Sequence, residues 1–247
     1  MQNMLENIIY EGSLALGITL AKKEVEIYLR YLEILLEWNK KFNLTAIVNP
    51  EEVVKKHFLD SMVSLPFIIQ KRPNTLIDVG TGAGFPGVPL KIAFQKTNYL
   101  NKTSVVLLDS LKKRVHFLEH LIEELKLENI KTIHGRAEDC GQHPEYREMF
   151  DIVVSRAVSS VAVLSEFCLP FIRVNGIFIA YKGPNAIDEL KEGKKAISIL
   201  GGRIAEVKDV KVPGLDQGRT IIIIEKAFPT PEKYPRKAGI PEKRPLN

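Results

Sequence analysis

Short apolar segments that alternate with helical stretches constrain the fold of this chain more than any other feature. In order along the chain they read TLIDVG, SVVLLD, NIKTIHG, FDIVVS, GIFIAYKG, GRIAEVKDV and RTIIIIEKA. Strands separated by helices imply a parallel sheet built from βαβ units. The last two segments have no helix between them, which indicates an antiparallel strand at one edge. The sequence therefore predicts an α/β fold with a mostly parallel, seven-stranded sheet.

The region before these strands reads as helices. From Lys22 to Trp38, apolar residues recur at steps of three and four, the spacing of one face of an amphipathic helix. Asn49 followed by Pro50 indicates a second helix start, because Asn is a common cap and Pro is favoured in the first turn. That helix is predicted to continue to about Leu65.

Three regions follow from this pattern: an N-terminal helical extension (1–72) packed on the core, an α/β core (73–228) and a C-terminal tail (229–247). The tail, PTPEKYPRKAGIPEKRPLN, is rich in proline and carries five basic residues against two acidic ones. The whole chain has a net charge of +5 and a pI near 9.0, which suggests a polyanionic partner. The tail is interpreted either as a solvated segment or as part of a surface for that partner.

Composition excludes several classes of protein. Apolar residues make up 45% and charged residues 26% of the 247 residues, which is ordinary for a globular protein. Cys140 and Cys168 have no metal-ligand spacing, and no histidine pattern suggests one, so no metal is expected. No apolar run reaches about 18 residues, and the N-terminus lacks the order of a signal peptide. We expect a cytoplasmic protein that acts as a monomer and has no membrane partner.

The sharpest motif is the loop that follows the first strand. Asp78 stands two residues before Gly80, and Gly82 and Gly84 complete a G-x-G-x-G pattern. A dinucleotide fingerprint needs its third glycine where this chain has Phe85, and no phosphate-binding G-x-x-x-x-G-K-[ST] occurs. The pattern resembles the first motif of S-adenosylmethionine-dependent methyltransferases, with Asp78 balancing the positive methionine end of that cofactor. The alternative is an ordinary strand-to-helix turn.

Acidic residues at the next two strand ends fit the same cofactor. Asp109 ends the second strand, where a carboxylate is suited to accept both ribose hydroxyls, although it could equally cap the helix that follows. After the third strand, Ala137 and Glu138 are the candidates for the adenine side. The alternative for Glu138 is an acidic residue in the first turn of a helix.

The turn after the fourth strand limits which chemical classes of methyl acceptor are possible. Enzymes that methylate exocyclic amines usually carry Asn/Asp-Pro-Pro-aromatic at this turn, whereas this chain has SRAV at 155–158. Methylation of pyrimidine C5 needs an attacking thiolate, and neither Cys140 nor Cys168 is suitably placed. An acceptor that is already nucleophilic remains, such as a ring nitrogen with a lone pair.

At this point the chain resembles the small-subunit ribosomal RNA methyltransferase G family, also called GidB. The segments that carry the resemblance are WNKKFNLTAI, HFLDSM, DVGTGAGFPGVPLKI, LLDSLKKRVHFL, HGRAED, SRAV, YKG and YPRKAGIPEKRPL, from about Tyr28 to the end. The resemblance implies a Rossmann-like class I methyltransferase fold, with the core at 73–228 binding S-adenosylmethionine. It also implies methylation of guanine N7 at position 527 of 16S ribosomal RNA, in the decoding-region loop. The cofactor contacts that it implies are Gly80, Phe85, Ala137, Glu138 and Arg156.

Guanine N7 carries a lone pair and no proton, so the chemistry needs alignment rather than a general base. No catalytic residue is therefore assigned, and the candidates are Arg156, Lys182 and His57. Arg156 is suited to hold either the cofactor carboxylate or the guanine, and Lys182 ends the fifth strand. The alternatives are ion pairs for the two cations and local packing for His57.

Other cations are candidates for RNA contacts. Arg114 and Arg136, with Lys182, form a predicted basic rim, and Arg236 and Lys237 adjoin an aromatic residue that is suited to stack on a base. The expected partner is 16S ribosomal RNA or the small ribosomal subunit. The remaining alternatives are a methyltransferase for another RNA or a small molecule, and a non-catalytic RNA-binding module.

Overall fold

A computed structural model describes residues 2–95, 99–183, 185–216 and 218–246 of the chain. Its strands are Thr75–Val79 (β1), Ser104–Asp109 (β2), Ile130–His134 (β3), Phe150–Ser155 (β4), Ile172–Lys182 (β5), Gly202–Val210 (β6) and Arg219–Lys226 (β7). They form one sheet in the order β3-β2-β1-β4-β5-β7-β6. The pairs from β3 to β5 are parallel, and β7 is antiparallel to both of its neighbours. The predicted mostly parallel, seven-stranded sheet is confirmed.

The antiparallel strand lies one position in from the edge rather than at the edge itself. The chain leaves β5, crosses through a helix and returns as β6 at the outside, and β7 then fills the gap between β5 and β6. Ile221 to Ile224 of β7 are buried, whereas the residues of β6 are at least partly exposed. The continuous apolar run in β7 therefore reflects burial on both faces of the sheet.

Helices cover both faces of the sheet. The α-helices are Gln2–Ala15 (α1), Lys22–Phe42 (α2), Pro50–Val53 (α3), Asp60–Met62 (α4), Leu65–Lys71 (α5), Gly87–Phe94 (α6), Lys112–Glu124 (α7), Ala137–Cys140 (α8), Val161–Cys168 (α9), Ala186–Ile199 (α10) and Ile240–Lys243 (α11). A π-helical stretch, Val54–Leu59, joins α3 to α4, and short 3-10 turns occupy Leu100–Lys102 and Leu169–Phe171. Among these residues, no helix is both long and apolar enough to cross a membrane.

The predicted helix after Asn49 forms, but with a wider turn in its middle. Asn49 Oδ1 accepts a hydrogen bond from the Glu52 amide at 3.1 Å, so the cap is confirmed. The π-helical stretch that follows contains His57 and was not predicted, because periodicity alone does not separate a π turn from an α turn. Such turns are frequent at functional sites.

The N-terminal helices share a hydrophobic core with one face of the sheet. Tyr28, Tyr31 and Leu35 of α2 belong to the same buried cluster as Leu107 of β2 and Ile179 of β5. Burying each such large side chain contributes roughly 1.5–3 kcal/mol. The helical extension is thus packed on the core and forms one wall of the region above the carboxyl ends of the strands.

A second buried cluster covers the other face of the sheet. It combines Val153 of β4 with Leu164 of α9, Ile197 of α10 and Tyr234 of the C-terminal segment. The segment 229–246 therefore lies against the α/β core in this structure. The three predicted regions themselves stay a prediction.

Candidate functional site

The glycine loop after β1 has the backbone conformation that the motif requires. Gly80, Gly82 and Gly84 have φ values of 73°, 63° and 100°, in the region that glycine adopts readily. A Cβ atom on Gly80 or Gly82 would meet no atom within 4 Å, so both face open space. A Cβ on Gly84 would lie 2.7 Å from the Tyr31 hydroxyl, so this glycine is needed for packing.

Asp78 lies fully buried beneath this loop. Its Oδ2 accepts hydrogen bonds from the Thr81 hydroxyl at 2.6 Å and from the Gly87 amide at 2.8 Å. Its Oδ1 has no hydrogen-bond partner among the residues that the structure describes. Burial raises the pKa of the Asp78 carboxyl from 3.8 to about 7. A buried acceptor with a spare oxygen fits the cationic end of an amino acid ligand.

Asp109, at the end of β2, connects the glycine loop to the start of α7. Its Oδ1 accepts from the Leu111 amide and its Oδ2 from the Gly82 amide, each at 2.9 Å. Arg114 Nη1 lies 3.4 Å from Oδ2, a long contact. A carboxylate has about four lone-pair sites, so Asp109 retains capacity to accept from a ligand hydroxyl while it braces both turns.

A cavity of about 260 Å³, the smaller cavity, lies above these strand ends. It is lined by six of the residues singled out in the sequence: Gly80, Asp109, Arg114, Arg136, Ala137 and Glu138. Glu138 is buried, and its Oε1 accepts a hydrogen bond from the Gly239 amide at 2.9 Å. The smaller cavity and the open space over the glycines leave room for the adenosyl part of S-adenosylmethionine. Asp78 and Gly82 do not line this cavity, so their contact with the cofactor stays a prediction.

A second cavity of about 870 Å³, the larger cavity, contains all three catalytic candidates. His57, Arg156 and Lys182 line it. Its other charged or polar lining residues are Lys56, Tyr181, Glu189, Asp216 and Arg219. Ala157, directly after Arg156, lines both cavities, so the two adjoin at the turn after β4.

A buried carboxylate fixes two arginines in the larger cavity. Asp60 is fully buried, and its Oδ2 lies 2.7 Å from Nη1 of Arg156. Arg219 Nε donates to Asp60 Oδ1 at 2.6 Å, and Arg219 Nη2 donates to Oδ2 at 3.0 Å. Neither Asp60 nor Arg219 was identified from the sequence. Asp60 stands within HFLDSM, but nothing in that segment distinguishes it from a surface acid.

The protonation of His57 follows from its partners. Nδ1 lies 3.0 Å from Nη2 of Arg156, and a guanidinium only donates, so Nδ1 accepts and the proton lies on Nε2. Nε2 then donates to the Thr45 hydroxyl at 2.9 Å. Burial, together with the charge of Arg156, lowers the pKa of His57 from 6.5 to about 3. His57 is therefore neutral across the physiological range.

Phe85 packs against two residues that line the larger cavity, His57 and Arg156. Its ring stacks on His57 with 4.4 Å between centroids and on Tyr31 with 5.5 Å between centroids. The guanidinium of Arg156 lies 5.1 Å from the Phe85 ring centroid, within range of a cation–π contact. Phe85 and Arg156 do not line the smaller cavity, so their role as cofactor contacts stays a prediction.

Lys182 is engaged within the larger cavity. It is 5% exposed, its Nζ donates to the Ser159 carbonyl at 2.7 Å, and it lies 2.6 Å from Oε2 of Glu189. The sequence left two alternatives open for Lys182, a cation that faces the site and a member of an ion pair, and the structure shows both. The Lys182 ammonium faces the cavity as half of a pair, not as an isolated charge.

The tail candidates lie on a different part of the surface. Arg236 donates from its amide and its Nε to Glu166 Oε1, each at 2.8 Å, and from Nη2 to Oε2 at 2.6 Å. Lys237 is exposed. The structure brings neither residue into a cavity, and their contact with RNA stays a prediction.

The two cysteines and the acidic and histidine side chains are the groups that a thiol or metal site would use. Burial raises the pKa of the Cys168 thiol well above its usual value, and it also raises the pKa of Cys140. A raised pKa disfavours the thiolate that an attacking cysteine needs. In the described ranges, no group of three or more His, Cys, Asp and Glu side chains could hold a metal ion.

Comparison with known proteins places these features in context. A family model described as rRNA small subunit methyltransferase G (GidB) matches residues 24–220. A relative from Clostridium tetani, named Ribosomal RNA small subunit methyltransferase G, is 52% identical over 230 residues, covering 93% of this chain and 94% of the relative. A relative of the same name from Alkaliphilus metalliredigens is 48% identical over 239 residues, covering 97% and 98%.

Among solved structures, an O-methyltransferase from Bacillus cereus in complex with SAH superimposes with a TM-score of 0.57. The sequence identity is 17%, and the match covers 80% of this chain and 91% of that one. At this identity the likeness concerns the fold alone. It confirms the predicted Rossmann-like class I methyltransferase fold.

Proposed function

Since this chain belongs to the family of rRNA small subunit methyltransferase G (GidB), we propose that it transfers a methyl group from S-adenosylmethionine to N7 of guanine 527 in 16S ribosomal RNA. The observation that best supports this proposal is that the two cavities adjoin at Ala157. One cavity suits an adenosyl ligand, and the other is large and basic enough for an extruded nucleotide. Both cavities are formed by one chain, which supports action as a monomer. The proposed substrate is 16S ribosomal RNA in small subunits, and the proposed location is the cytoplasm.

The smaller cavity holds the cofactor in this proposal. Asp78 balances the positive methionine end, Gly80 and Gly82 leave room for the ligand along the backbone, and Asp109 accepts from the ribose. Ala137 and Glu138 border the adenine. Arg156 and Phe85 adjoin the cofactor from the side of the larger cavity.

S-adenosylmethionine supplies the methyl group on a cationic sulfonium. Guanine N7 would take the methyl group with its own lone pair as the bond from sulfur to that methyl group breaks, which leaves S-adenosylhomocysteine. The protein therefore has to align the two groups rather than remove a proton. A neutral His57 agrees with this requirement, since no proton needs to move. His57 and Asp60 hold Arg156 in place, and we assign Arg156 to positioning the guanine.

Cations near the reacting atoms act on groups other than N7. Arg156 has five N–H donors and makes three contacts, with Lys56, Asp60 and His57, so it retains donors for guanine O6 or a phosphate. Arg114 and Arg136 border the smaller cavity, where they are suited to the RNA backbone near the cofactor. Lys182 lies in the larger cavity and Lys237 is exposed outside both cavities, and each is suited to one further phosphate contact.

The test determines which nucleotide is methylated and which atom of its base accepts the methyl group. Purified protein is incubated with labelled S-adenosylmethionine and small subunits from cells that lack this methylation, and modified guanosines are mapped by mass. We expect one 7-methylguanosine, at position 527. The matched control is an RNA with 7-deazaguanine at that position, which lacks the accepting nitrogen and should still bind but take no label. Label in the deaza RNA, or at another nucleotide alone, contradicts the proposal.

A further inference from the structure

The C-terminal segment has the composition of a solvated tail, yet the core holds it at several points. Arg147 donates from Nη1 to the Tyr234 carbonyl at 2.7 Å, and from Nη2 to the Thr230 carbonyl at 2.8 Å. Lys226, fully buried, donates to the Thr230 hydroxyl at 2.7 Å. Tyr234 itself is buried. These contacts fix the path of the chain as far as Pro235.

The next anchor is an ion pair. Glu166 of α9 is fully buried, and it accepts three hydrogen bonds from Arg236, one from the amide and two from the guanidinium. Removing either partner would leave the other without its counter-charge, which is strongly unfavourable in a buried position. The guanidinium of Arg236 is thus committed to holding the segment on α9.

Beyond Arg236 the segment reaches the smaller cavity. The Gly239 amide donates to Oε1 of Glu138, and Glu242 of α11 lines that cavity together with Glu138. Pro241, between them, is buried, and α11 packs on α9. Two separate observations therefore connect the segment to the cavity: a hydrogen bond to a lining carboxylate, and a residue of its own in the lining.

We propose that residues 236–243 are part of the cofactor site, with Arg236 anchoring the segment and Gly239 positioning the Glu138 carboxylate at the adenine. This inference rests on the proposed function, because it takes the smaller cavity as the adenosyl site. One oxygen of Glu138 is held by the Gly239 amide, and the other has no hydrogen-bond partner among the described residues, so it can accept from the exocyclic amine of adenine. A carboxylate that is oriented before binding loses less freedom on binding, and the ligand binds more tightly.

The proposal makes the segment a determinant of base selectivity as well as affinity. A carboxylate accepts from an amine but cannot donate to a carbonyl oxygen. An analogue with inosine in place of adenosine presents an oxygen at that position, so the intact protein should bind it more weakly. Without Gly239, Glu138 is no longer held, and the preference between the two analogues should shrink.

The test uses a chain that ends at Ala238. It lacks the Gly239 amide and Glu242 but keeps the Arg236–Glu166 pair and the contacts of Arg147. We expect the Kd for S-adenosylhomocysteine to rise about tenfold, as for one lost hydrogen bond to a charged group. The KM for the cofactor should rise in parallel, with kcat and the KM for RNA changed by less than about twofold.

The matched control removes one charge from the deleted stretch but leaves residues 236–243 as they are. The full-length variant Arg244→Ala keeps Gly239 and Glu242, so its Kd for S-adenosylhomocysteine should equal that of the original protein. A variant with Glu138→Ala separates positioning from general stability. If the segment acts through Glu138, shortening the chain in that background should produce no further loss of affinity.

A full-length Gly239→Val variant covers the case in which the shortened chain fails to fold. Gly239 has a φ of 79°, which a β-branched residue disfavours, and its added Cβ would meet no atom within 4 Å. It should show the same loss of cofactor affinity and of base preference. Unchanged cofactor affinity in both variants, or a rise in the KM for RNA alone, overturns the proposal in favour of an RNA-contacting tail. Failure of the unaltered protein to bind S-adenosylhomocysteine would instead refute the proposed function.

Discussion

The two cavities at the carboxyl end of the sheet are built in different ways. The smaller cavity depends largely on backbone and on turns that follow β1, β2 and β3, close to the strands that carry them. The larger cavity depends on Asp60, which contacts two arginines far away along the chain. Arg156 is 96 residues from Asp60 in the sequence, and Arg219 is 159 residues from it. Substitutions should therefore separate cofactor binding from acceptor positioning.

The largest expected effect is on cofactor binding, from Gly82→Val. Gly82 has a φ of 63° and gives its amide to Asp109, and a β-branched residue at positive φ costs about 1–3 kcal/mol of strain. Its side chain would also occupy the open space over the loop. We expect calorimetry to detect no binding of S-adenosylmethionine. Binding to ribosomal RNA should persist, and retained cofactor affinity would show that the loop is wrongly assigned.

Asp60→Asn should lower the rate of methyl transfer and leave cofactor binding unchanged. The change keeps the shape of the side chain but removes the charge between Arg156 and Arg219, so both guanidinium groups lose their fixed position. We expect kcat to fall about 100-fold, as misplacement by about 1 Å does, while the Kd for the cofactor stays within about twofold. A parallel loss of cofactor affinity would mean that the two cavities are not independent.

Stability provides a second readout for Asp60. With Asp60→Ala, the arginines lose every acceptor that this side chain offers, and unfolding in urea should show a loss of about 3 kcal/mol. Asp60→Asn should lose less, because the amide oxygen still accepts a hydrogen bond. Equal losses in the two variants would contradict a role for the carboxylate as an acceptor.

A moderate effect is expected from pH, through Asp78. The pKa of Asp78 is raised to about 7, so near pH 6 the folded protein without cofactor still holds a proton that an unfolded chain has released. This proton stabilises the folded state fully below pH 4, and the stabilisation is lost as the pH rises through 7. In the proposed site, the ionised form of Asp78 balances the cationic end of the cofactor. Affinity for S-adenosylmethionine should therefore rise roughly tenfold from pH 6 to pH 8.

The control for this pH dependence is Asp78→Asn, whose weaker affinity should not vary over the same range. At saturating cofactor, kcat of the unaltered protein should be flat from pH 6 to pH 8, because the pKa of His57 is about 3. A limb in kcat near pH 6.5 would assign His57 a proton transfer and contradict its placement as a neutral positioning residue.

The smallest expected effect is from Lys237→Ala. Lys237 is exposed and lines neither cavity, so we assign it one phosphate contact in the proposed RNA surface. RNA binding should weaken slightly, and the slope of log affinity against log salt should decrease by about one. Cofactor affinity should stay the same. An unchanged slope would remove Lys237 from the RNA surface.

The difference between the cavities also explains what the sequence could predict. Asp78, the glycines, Asp109, Ala137 and Glu138 lie at strand ends, and strand ends are readable from apolar runs and the residues that follow them. His57, Arg156 and Lys182 were identified as candidates, but their partners were not. A buried ion pair such as Asp60 with Arg219 joins residues that are distant along the chain, and no local pattern marks it.

The C-terminal segment shows the same limit in another form. Its prolines and charges are typical of a solvated tail, and composition alone gave no sign that Glu166, within an apolar helix, would pair with Arg236. Similarly, the position of β7 depends on which gap the chain crossover leaves in the sheet. Both outcomes are decided by tertiary contacts rather than by local propensity.

The most direct test of this account is a crystal structure of the protein with S-adenosylhomocysteine. We expect the ligand in the smaller cavity, with its amino acid end above Gly80 and Gly82 near Asp78, its ribose at Asp109 and its adenine between Ala137 and Glu138. The larger cavity should stay open, with Arg156 and Arg219 on Asp60. A ligand seated instead in the larger cavity, against His57 and Lys182, would contradict the division of the site into cofactor and acceptor halves.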